Sequence, residues 1–154
     1  MDNGYFRAPL ASDAYHLASR LREGDAKEVE AMHGQVHVEK LLLVAIEMST
    51  LCWAHCAPGG EPTALLGVAP VLKCAGVGVP WMLCSDLADQ FPKVMMRDSK
   101  IKVREMHTDY PHLINNVDVR NVKAVRWLRR LGFTLLPPEP MGRNGELFHR
   151  FTMG

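Results

Sequence analysis

The chain has 154 residues, the usual size of one domain, and 47% of them are hydrophobic. Its 18 basic and 17 acidic side chains give a formal net charge of +1, which disfavours a disordered chain and a nucleic-acid binder with a basic surplus. The longest apolar run, residues 41–46, is far shorter than the roughly 18 to 20 residues of a membrane span. We therefore expect one globular domain over residues 1–154, with no membrane span and no nucleic-acid partner.

The N-terminus and the charge distribution bear on location and partners. The first five residues show neither the basic start nor the apolar block of a secretory signal, which favours the cytosol. Residues 1–90 are net acidic, whereas residues 91–154 carry twelve basic and six acidic side chains. The C-terminal part can therefore present a basic surface to an acidic partner or a phosphate-bearing ligand, or simply a solvated face.

Three helices are predicted in the first third of the chain, over about residues 12–24, 25–34 and 38–48, after a short extended start. Ser12 or Asp13 is a suitable N-cap for the first helix. Asp25 and Glu28 have the spacing of a capping box, which assigns them to the start of the second helix. The third helix is too densely apolar for an exposed surface.

The closest pair of cysteines, Cys52 and Cys56, flanks His55 and resembles a metal-binding arrangement. The segment has the pattern of a strand before a Pro-Gly-Gly turn, however, and four residues along a strand span roughly 13 Å. Two thiolates that far apart cannot share one zinc ion at about 2.3 Å per bond. We expect structural thiols in a reducing compartment and no metal site.

Strands dominate the middle of the chain. A strand from Leu51 and a returning strand over residues 63–72 form a predicted antiparallel hairpin. The apolar run Trp81–Cys84 has the composition of a central strand buried on both faces. A long helix follows over residues 91–110, with a proline in its first turn.

The C-terminal third alternates between strand and helix. A strand is predicted over residues 112–120, followed by Asn121 as the N-cap of a helix that Gly132 ends. Two more strands, residues 133–136 and 147–153, flank a loop. The order predicts a mixed α/β (α+β) domain, with a mixed sheet of six or seven strands flanked by four to five helices.

The segment from Asn121 to Phe133 resembles the N-x-x-A-x-x-x-Y-x-x-L-G-F segment of the Gcn5-related N-acetyltransferases (GNAT). Here the asparagine caps the helix, Ala124 permits close packing and Gly132 stops the helix. The element order is also similar to that of this family. The resemblance implies a GNAT-like acyltransferase fold, which in the family binds acetyl-CoA.

Further blocks resemble a family of small GNAT-like proteins of tailed bacteriophages, internal virion protein A of the T7-like type. These blocks are residues 21–29, 66–70, 78–83, 116–121, 125–134 and 148–151. The resemblance implies a phage origin and a place of action in the host-cell cytoplasm or in the virion. It also implies another phage virion protein or a host protein as the partner.

The acetyl-CoA site implied by the resemblance comprises Met82, Leu83, Cys84, Ser85 and Asn121. In the family, a glycine-rich turn after the central strand offers backbone N–H groups to the pyrophosphate. The corresponding turn here has no glycine, Asp86 and Asp89 would repel a pyrophosphate, and Pro92 lacks a donor. The hydroxyl of Ser85 and the cations Lys93 and Arg97 would partly compensate.

The sequence leaves the catalytic residues unassigned. Leu128 stands where the family commonly has a tyrosine that protonates the departing thiolate, and Tyr110 lies at the wrong end of the preceding helix. Cys84 or a water is the remaining proton donor. Candidate bases, chosen by position only and each better explained by a structural or solvent-facing role, are Glu39, Asp118 and His149.

A basic-aromatic stripe lies on the predicted helix over residues 122–131, at the spacing i, i+3, i+4 and i+7. It consists of Lys123, Arg126, Trp127 and Arg130. An exposed tryptophan among cations is typical of a protein-binding surface. The alternative is that Trp127 packs against the sheet and the cations are merely solvated.

Two functions follow from these features. The loss of the pyrophosphate glycines and of the tyrosine favours a phage-encoded, degenerate acetyltransferase fold that needs no cofactor. Such a protein would act by protein binding in virion assembly, in genome delivery or on a host target. The retained fold signature favours the alternative, an active acyl-CoA-dependent N-acetyltransferase that modifies a host or phage protein amine.

Overall fold

The computed structural model describes residues 4–154. In this range an eight-stranded mixed sheet is combined with five α-helices, which confirms the mixed α/β prediction. The predicted count of six or seven strands is too low. No helix within residues 4–154 combines the length and the apolar content of a membrane span. Residues 1–3 lie outside the described residues. They belong to the predicted domain and to the N-terminal segment in which no signal pattern is seen.

The elements follow one another from a short N-terminal strand to a long C-terminal strand. The strands are β1 (Tyr5–Arg7), β2 (Leu51–Cys56), β3 (Pro62–Pro70), β4 (Val77–Cys84), β5 (His112–Asp118), β6 (Thr134–Leu135), β7 (Glu139–Met141) and β8 (Glu146–Met153). The helices are α1 (Ala11–Ala18), α2 (Glu23–His33), α3 (Val38–Met48), α4 (Pro92–Asp109) and α5 (Val122–Leu131). A short 3₁₀ turn, Asp86–Gln90, connects β4 to α4.

The sheet has the order β1-β2-β3-β4-β5-β8-β6, and β7 pairs with β8. The additional strand is β7, which lies in the segment predicted as a loop and forms a short antiparallel pair with β8. Three prolines between residues 137 and 140 obscure any strand pattern in the sequence. Proline is tolerated in such a short strand at the margin of a sheet because few ladder hydrogen bonds depend on it.

Helices cover both faces of the sheet. On one face, Ala14 and Leu17 of α1 and Leu42 of α3 pack against the side chains of β2 and β3. On the other face, Val103 and Met106 of α4 pack with Val125 of α5 against β3, β5 and β8. These apolar stripes match the helical spacing of the sequence, which explains why the helices lie on the sheet.

Two helix starts differ from the predicted ones. α1 begins at Ala11, and Asp13 stabilises its start from inside the first turn by accepting the Leu10 N–H at 2.7 Å and pairing with Arg7 at 2.8 Å. α1 ends at Ala18, before the predicted stop. α2 begins at Glu23 rather than at the predicted capping box, so Asp25 and Glu28 lie inside the helix.

The strands β4 and β5 are parallel and are paired only at their first residues, where Val77 and Gly78 face His112 and Leu113. Beyond this point β5 pairs with β8 and no longer with β4, which opens a gap in the sheet. Pro80, predicted to precede the strand, lies within β4 at this gap. A proline fits there because no neighbouring strand needs its N–H, and its carbonyl oxygen accepts a 2.7 Å hydrogen bond from Asn115.

Candidate functional site

A cavity of about 250 Å³ lies in the gap between β4 and β5. Met82 contributes to its wall and packs near Trp127 on the α5 side of the sheet. Trp81 and Leu83, its neighbours in β4, also line the cavity but pack with the α1 and α3 layer. Since successive strand residues point to opposite faces, a cavity lined by all three crosses the sheet.

Three polar atoms in the cavity wall are buried without a hydrogen-bond partner in the described part of the chain. They are Ser99 Oγ, Asn116 Oδ1 and Trp127 Nε1. Burying such a group unpaired costs about 1–3 kcal/mol, so native interiors rarely leave one alone. All three belong to residues that line the cavity.

A surface groove adjoins the cavity between the 3₁₀ turn, the start of α4 and α5. The two spaces share Arg22, Met82 and Trp127 in their walls and are therefore direct neighbours. Four cations line the groove and face a single carboxylate, that of Asp89. The cations are Arg22, Lys123, Arg126 and Arg130. We call this depression the cationic groove.

The carboxylate in the groove is neutralised. Asp89 accepts a 3.0 Å hydrogen bond from Arg22 and a 2.7 Å hydrogen bond from Lys123. Burial raises the pKa of Asp89, but these two hydrogen bonds outweigh it and hold the pKa below its usual range. Arg126 and Arg130 have no carboxylate partner among the described residues, so the groove keeps a positive surplus.

The structure does not place two unpaired carboxylates in the groove, which the predicted repulsion of a pyrophosphate requires. Asp89 is paired, and Asp86 lines neither the cavity nor the groove. The 3₁₀ turn uses the N–H groups of Ala88 and Phe91 internally, and the Ser85 N–H bonds the Thr63 carbonyl oxygen. An anion in this groove would meet the side-chain cations Arg126 and Arg130.

Helix α2 contributes two carboxylates to the gap, Asp25 and Glu28. Their spacing in the sequence predicts a capping box instead. Asp25 accepts hydrogen bonds from Cys84 N–H at 2.9 Å and from Asn121 Nδ2 at 2.9 Å. Glu28 accepts the Asp118 N–H at 2.8 Å and a longer bond from Asn121. α2 thus binds the ends of both diverging strands.

The protonation of Glu28 is perturbed by its position in the cavity wall. Burial is the largest cause and raises the pKa of Glu28 to about 7, with the nearby Asp25 and Asp118 carboxylates adding to the shift. Hydrogen bonds from Asp118 N–H and Asn121 act in the opposite direction. A carboxyl group with this pKa exchanges protons at neutral pH.

The five residues predicted to bind acetyl-CoA occupy different places. Met82 and Leu83 line the cavity, and Cys84 lines the cationic groove. The backbone N–H and C=O of Cys84 are both bonded to α2, through Asp25 and the Arg22 N–H. Ser85 lines neither space, because its N–H bonds the carbonyl oxygen of Thr63 in β3.

Asn121 is the N-cap residue of α5, as predicted, but its side chain makes no cap hydrogen bond. It is 3% exposed and donates to Asp25 instead, which joins α5 to α2 beside the cavity. A Cβ on Gly24 would lie 2.5 Å from its Oδ1, so a glycine on α2 is what allows this close approach.

None of the predicted proton carriers lies in the cavity wall. Asp118 is paired with Arg120, His149 bonds the Leu136 carbonyl oxygen, and Tyr110 bonds Thr50. Glu39 lies on α3, away from the cavity lining. Cys84 is 1% exposed, and its burial raises the pKa of the thiol, so it is a poor acid at neutral pH. Leu128 lines the cavity and has no proton to give.

The basic-aromatic stripe forms one wall of the cationic groove, since all four of its residues line that groove. Trp127 is half-buried and lines the cavity as well, where its indole nitrogen is among the unpaired atoms. The residues predicted for a protein partner and four of the five predicted for acetyl-CoA, all but Ser85, therefore line the groove or the adjoining cavity.

Comparison with known proteins shows the fold. No family model and no curated protein matches the sequence. The structure is similar to phosphinothricin acetyltransferase from Sinorhizobium meliloti in complex with acetyl-CoA, with a TM-score of 0.71 and 13% identity over 99% of this chain and 88% of that chain. It is also similar to the aminoglycoside acetyltransferase AAC(6')-Ib with ribostamycin and coenzyme A, at a TM-score of 0.71 and 14% identity over 99% and 93%.

A third similar structure is spermidine N-acetyltransferase from Vibrio cholerae in complex with coenzyme A and spermine. Its TM-score is 0.69, at 12% identity over 97% of this chain and 94% of that chain. The predicted GNAT-like acyltransferase fold is thereby confirmed. At these identities the similarity concerns the fold.

Proposed function

We propose that this protein is an acyl-CoA-dependent N-acyltransferase. The observation that carries the proposal is a cationic groove on one side of the sheet that shares part of its wall with a cavity crossing the sheet, and we take the two to form one cleft. Acyl transfer between two substrates requires that the donor and the acceptor meet with their reacting atoms in contact. A cavity open to both faces of the sheet supports such a meeting.

The residues present fit coenzyme A. Its phosphate groups need cations, which Arg126 and Arg130 supply without a competing carboxylate. Its pantetheine arm carries two amides, and Trp127 Nε1 and Asn116 Oδ1 are a buried donor and a buried acceptor without partners in the described chain. When bound, acyl-CoA would supply the activated acyl group. The likeness to structures that contain coenzyme A supports the same ligand.

The chain departs from the family in how it would hold the phosphates. Side-chain cations replace the glycine-rich nest, and Asp89 already occupies two of them, Arg22 and Lys123. Binding should therefore depend more on salt than it would with backbone donors, because exposed ion pairs are screened. With Leu128 in place of tyrosine, the departing thiolate would take its proton without help from that position.

The protein-binding hypothesis remains a second proposal with less support. The half-buried Trp127 lines a cleft of ligand size, which favours a small ligand over a protein at this surface. The phage origin, a phage virion protein or a host protein as partner, and action in the host-cell cytoplasm or in the virion stay predictions from the sequence resemblance.

Calorimetric titration with acetyl-CoA tests the proposed function. We expect the wild-type protein to bind, and Arg126→Glu to weaken the affinity at least tenfold, since it reverses a charge in the groove. Arg129→Glu is the matched control, because Arg129 lies on the same helix, is exposed and lines neither space. Absence of binding by the wild type at millimolar acetyl-CoA would exclude the enzyme and leave the partner-binding module.

A further inference from the structure

We infer that Glu28 is the catalytic base of this protein and that the acceptor is a primary amine on an apolar arm, bound between α2 and α3. The inference rests on the proposed function, because it assigns the second substrate of the same cleft. It concerns the end of the cavity that lies opposite the cationic groove.

The walls at that end come from α2, α3 and β4 and are apolar apart from the exposed His33 of α2. The apolar wall residues are Val29, Met32, Leu41, Ala45, Trp81 and Leu83. Such walls favour an alkyl or aromatic arm over a hydroxylated or multiply charged one, since a polar group buried there would lose its water without gaining a partner.

Of the two carboxylates that line the cavity, Glu28 has an oxygen without a hydrogen-bond partner among the described residues. Both of its hydrogen bonds, from Asp118 N–H and Asn121 Nδ2, go to Oε1. Within the described residues this leaves Oε2 for a ligand. Asp25 also lines the cavity, but its Oδ1 accepts from Asn121 and its Oδ2 from Cys84 N–H. The carboxylates of the cavity can therefore pair with one ammonium group, at Glu28 Oε2, and leave no oxygen for a second.

The charges around Glu28 come from α2, from the end of β5 and from an arginine next to each of these elements. Asp25 on its own helix and Asp118 at the end of β5 are the carboxylates, and each has a cationic neighbour, Arg22 at 3.5 Å and Arg120 at 2.7 Å. Burial raises the pKa of Glu28 to about 7, which lets the carboxylate accept a proton at neutral pH and release it again.

Glu28 takes up one proton during the reaction and is unchanged at its end. An N–H bond of the acceptor ammonium breaks and its proton passes to Glu28 Oε2. The nitrogen lone pair attacks the thioester carbonyl carbon of the acyl donor, and the C–N bond forms as the C–S bond breaks. The second proton of the nitrogen leaves with the sulfur, and Glu28 returns the first proton to water.

A binding measurement tests the acceptor site without catalysis. At pH 6 Glu28 is mostly protonated, so pairing with an ammonium should expel close to one proton per bound amine. We expect this release for 2-phenylethylamine with the wild-type protein, measured by calorimetry in two buffers of different ionisation enthalpy. Glu28→Gln should release none and bind at least tenfold more weakly. Glu30→Gln, an exposed position on the same helix, should behave as wild type.

Two comparisons of amines test the acceptor class. The first compares the binding of leucinamide with that of a short peptide that begins with leucine. It distinguishes a small free amine from a protein N-terminus as the acceptor. Tighter binding of spermidine than of 2-phenylethylamine would overturn the assignment of a single charge on an apolar arm.

Kinetics test the role of Glu28. For the wild type, kcat/KM should rise as the pH passes about 7. In Glu28→Gln this pH dependence should disappear, and kcat should fall roughly 100-fold or more. Unchanged kcat in Glu28→Gln would overturn the base. If amine binding behaves as expected but acetyl-CoA does not bind, the proposed function fails rather than the acceptor site.

Discussion

At the scale of single residues, the arrangement of α2 over the gap depends on side chains that make long-range hydrogen bonds. Asp25 lies 59 residues from Cys84 and 96 residues from Asn121 in sequence, yet bonds both. In the sequence, an acidic residue near a helix start followed by a glutamate predicts a capping box, and nothing local distinguishes that role from contact with a distant strand. The same holds for Asp89, whose cationic partners come from two other helices or their ends.

Replacement of Asp25 tests this attachment. Asp25→Ala leaves the Cys84 N–H and the Asn121 amide without their acceptor, and we expect a loss of about 3 kcal/mol in the free energy of unfolding. Urea denaturation measures it. Glu23→Ala is the control on the same helix, because Glu23 is exposed and pairs only with Lys27 among residues 4–154, so its midpoint should stay nearly unchanged. Equal midpoints for the two variants would show that α2 is held by other contacts.

The raised pKa of Glu28 makes stability depend on pH in a defined direction. The folded chain holds this proton up to about pH 7, whereas the unfolded chain releases it near pH 4.5, so the contribution of Glu28 to stability falls as the pH rises through this window. The free energy of unfolding of Glu28→Gln, relative to that of the wild type, should rise by about 2 kcal/mol from pH 5 to pH 8. This is less than the full pKa shift would give, because the side chain is half-buried. Urea unfolding at both pH values checks this, and a difference that shrinks with pH contradicts it.

At the scale of elements, the segments with local signals are the ones the sequence predicts well. α5 begins after Asn121 and ends at Gly132, whose φ of 103° needs a glycine, as the motif indicates. β7 and the N-terminal part of β4 were missed because prolines interrupt their patterns. The gap between β4 and β5 has no local signal, since it depends on which strand pairs with which.

Gly78 lies at the last point of contact between β4 and β5 and controls how closely Tyr110 approaches the sheet. A Cβ there would lie 2.7 Å from Tyr110 Cγ and 2.8 Å from Val68 Cγ2. We expect Gly78→Ala to destabilise the fold by about 1–3 kcal/mol through overpacking, measured by urea unfolding. Gly59→Ala is the control, because its Cβ would meet nothing within 4 Å. If both variants unfold at the same urea concentration, the contact with Tyr110 is not tight.

At the scale of the whole molecule, the sequence was sufficient for the fold class but not for the electrostatics of the cleft. The absence of glycines after β4, together with Asp86 and Asp89, predicts a site that disfavours phosphate. The cations that line the groove come from residue 22 and from α5, more than 30 residues away from the turn on either side. Only the packing of the start of α2, the 3₁₀ turn and α5 brings them together, so the stripe on α5 lines the same groove as Met82 and Cys84, two of the residues implied for the cofactor.

The most direct test of this account is a crystal structure of the protein with coenzyme A. We expect the phosphate groups against Arg126 and Arg130 in the cationic groove, with the arm passing Trp127 and the thiol reaching Met82 in the gap between β4 and β5. An empty groove at saturating coenzyme A, or the ligand bound on another face of the sheet, would contradict the account.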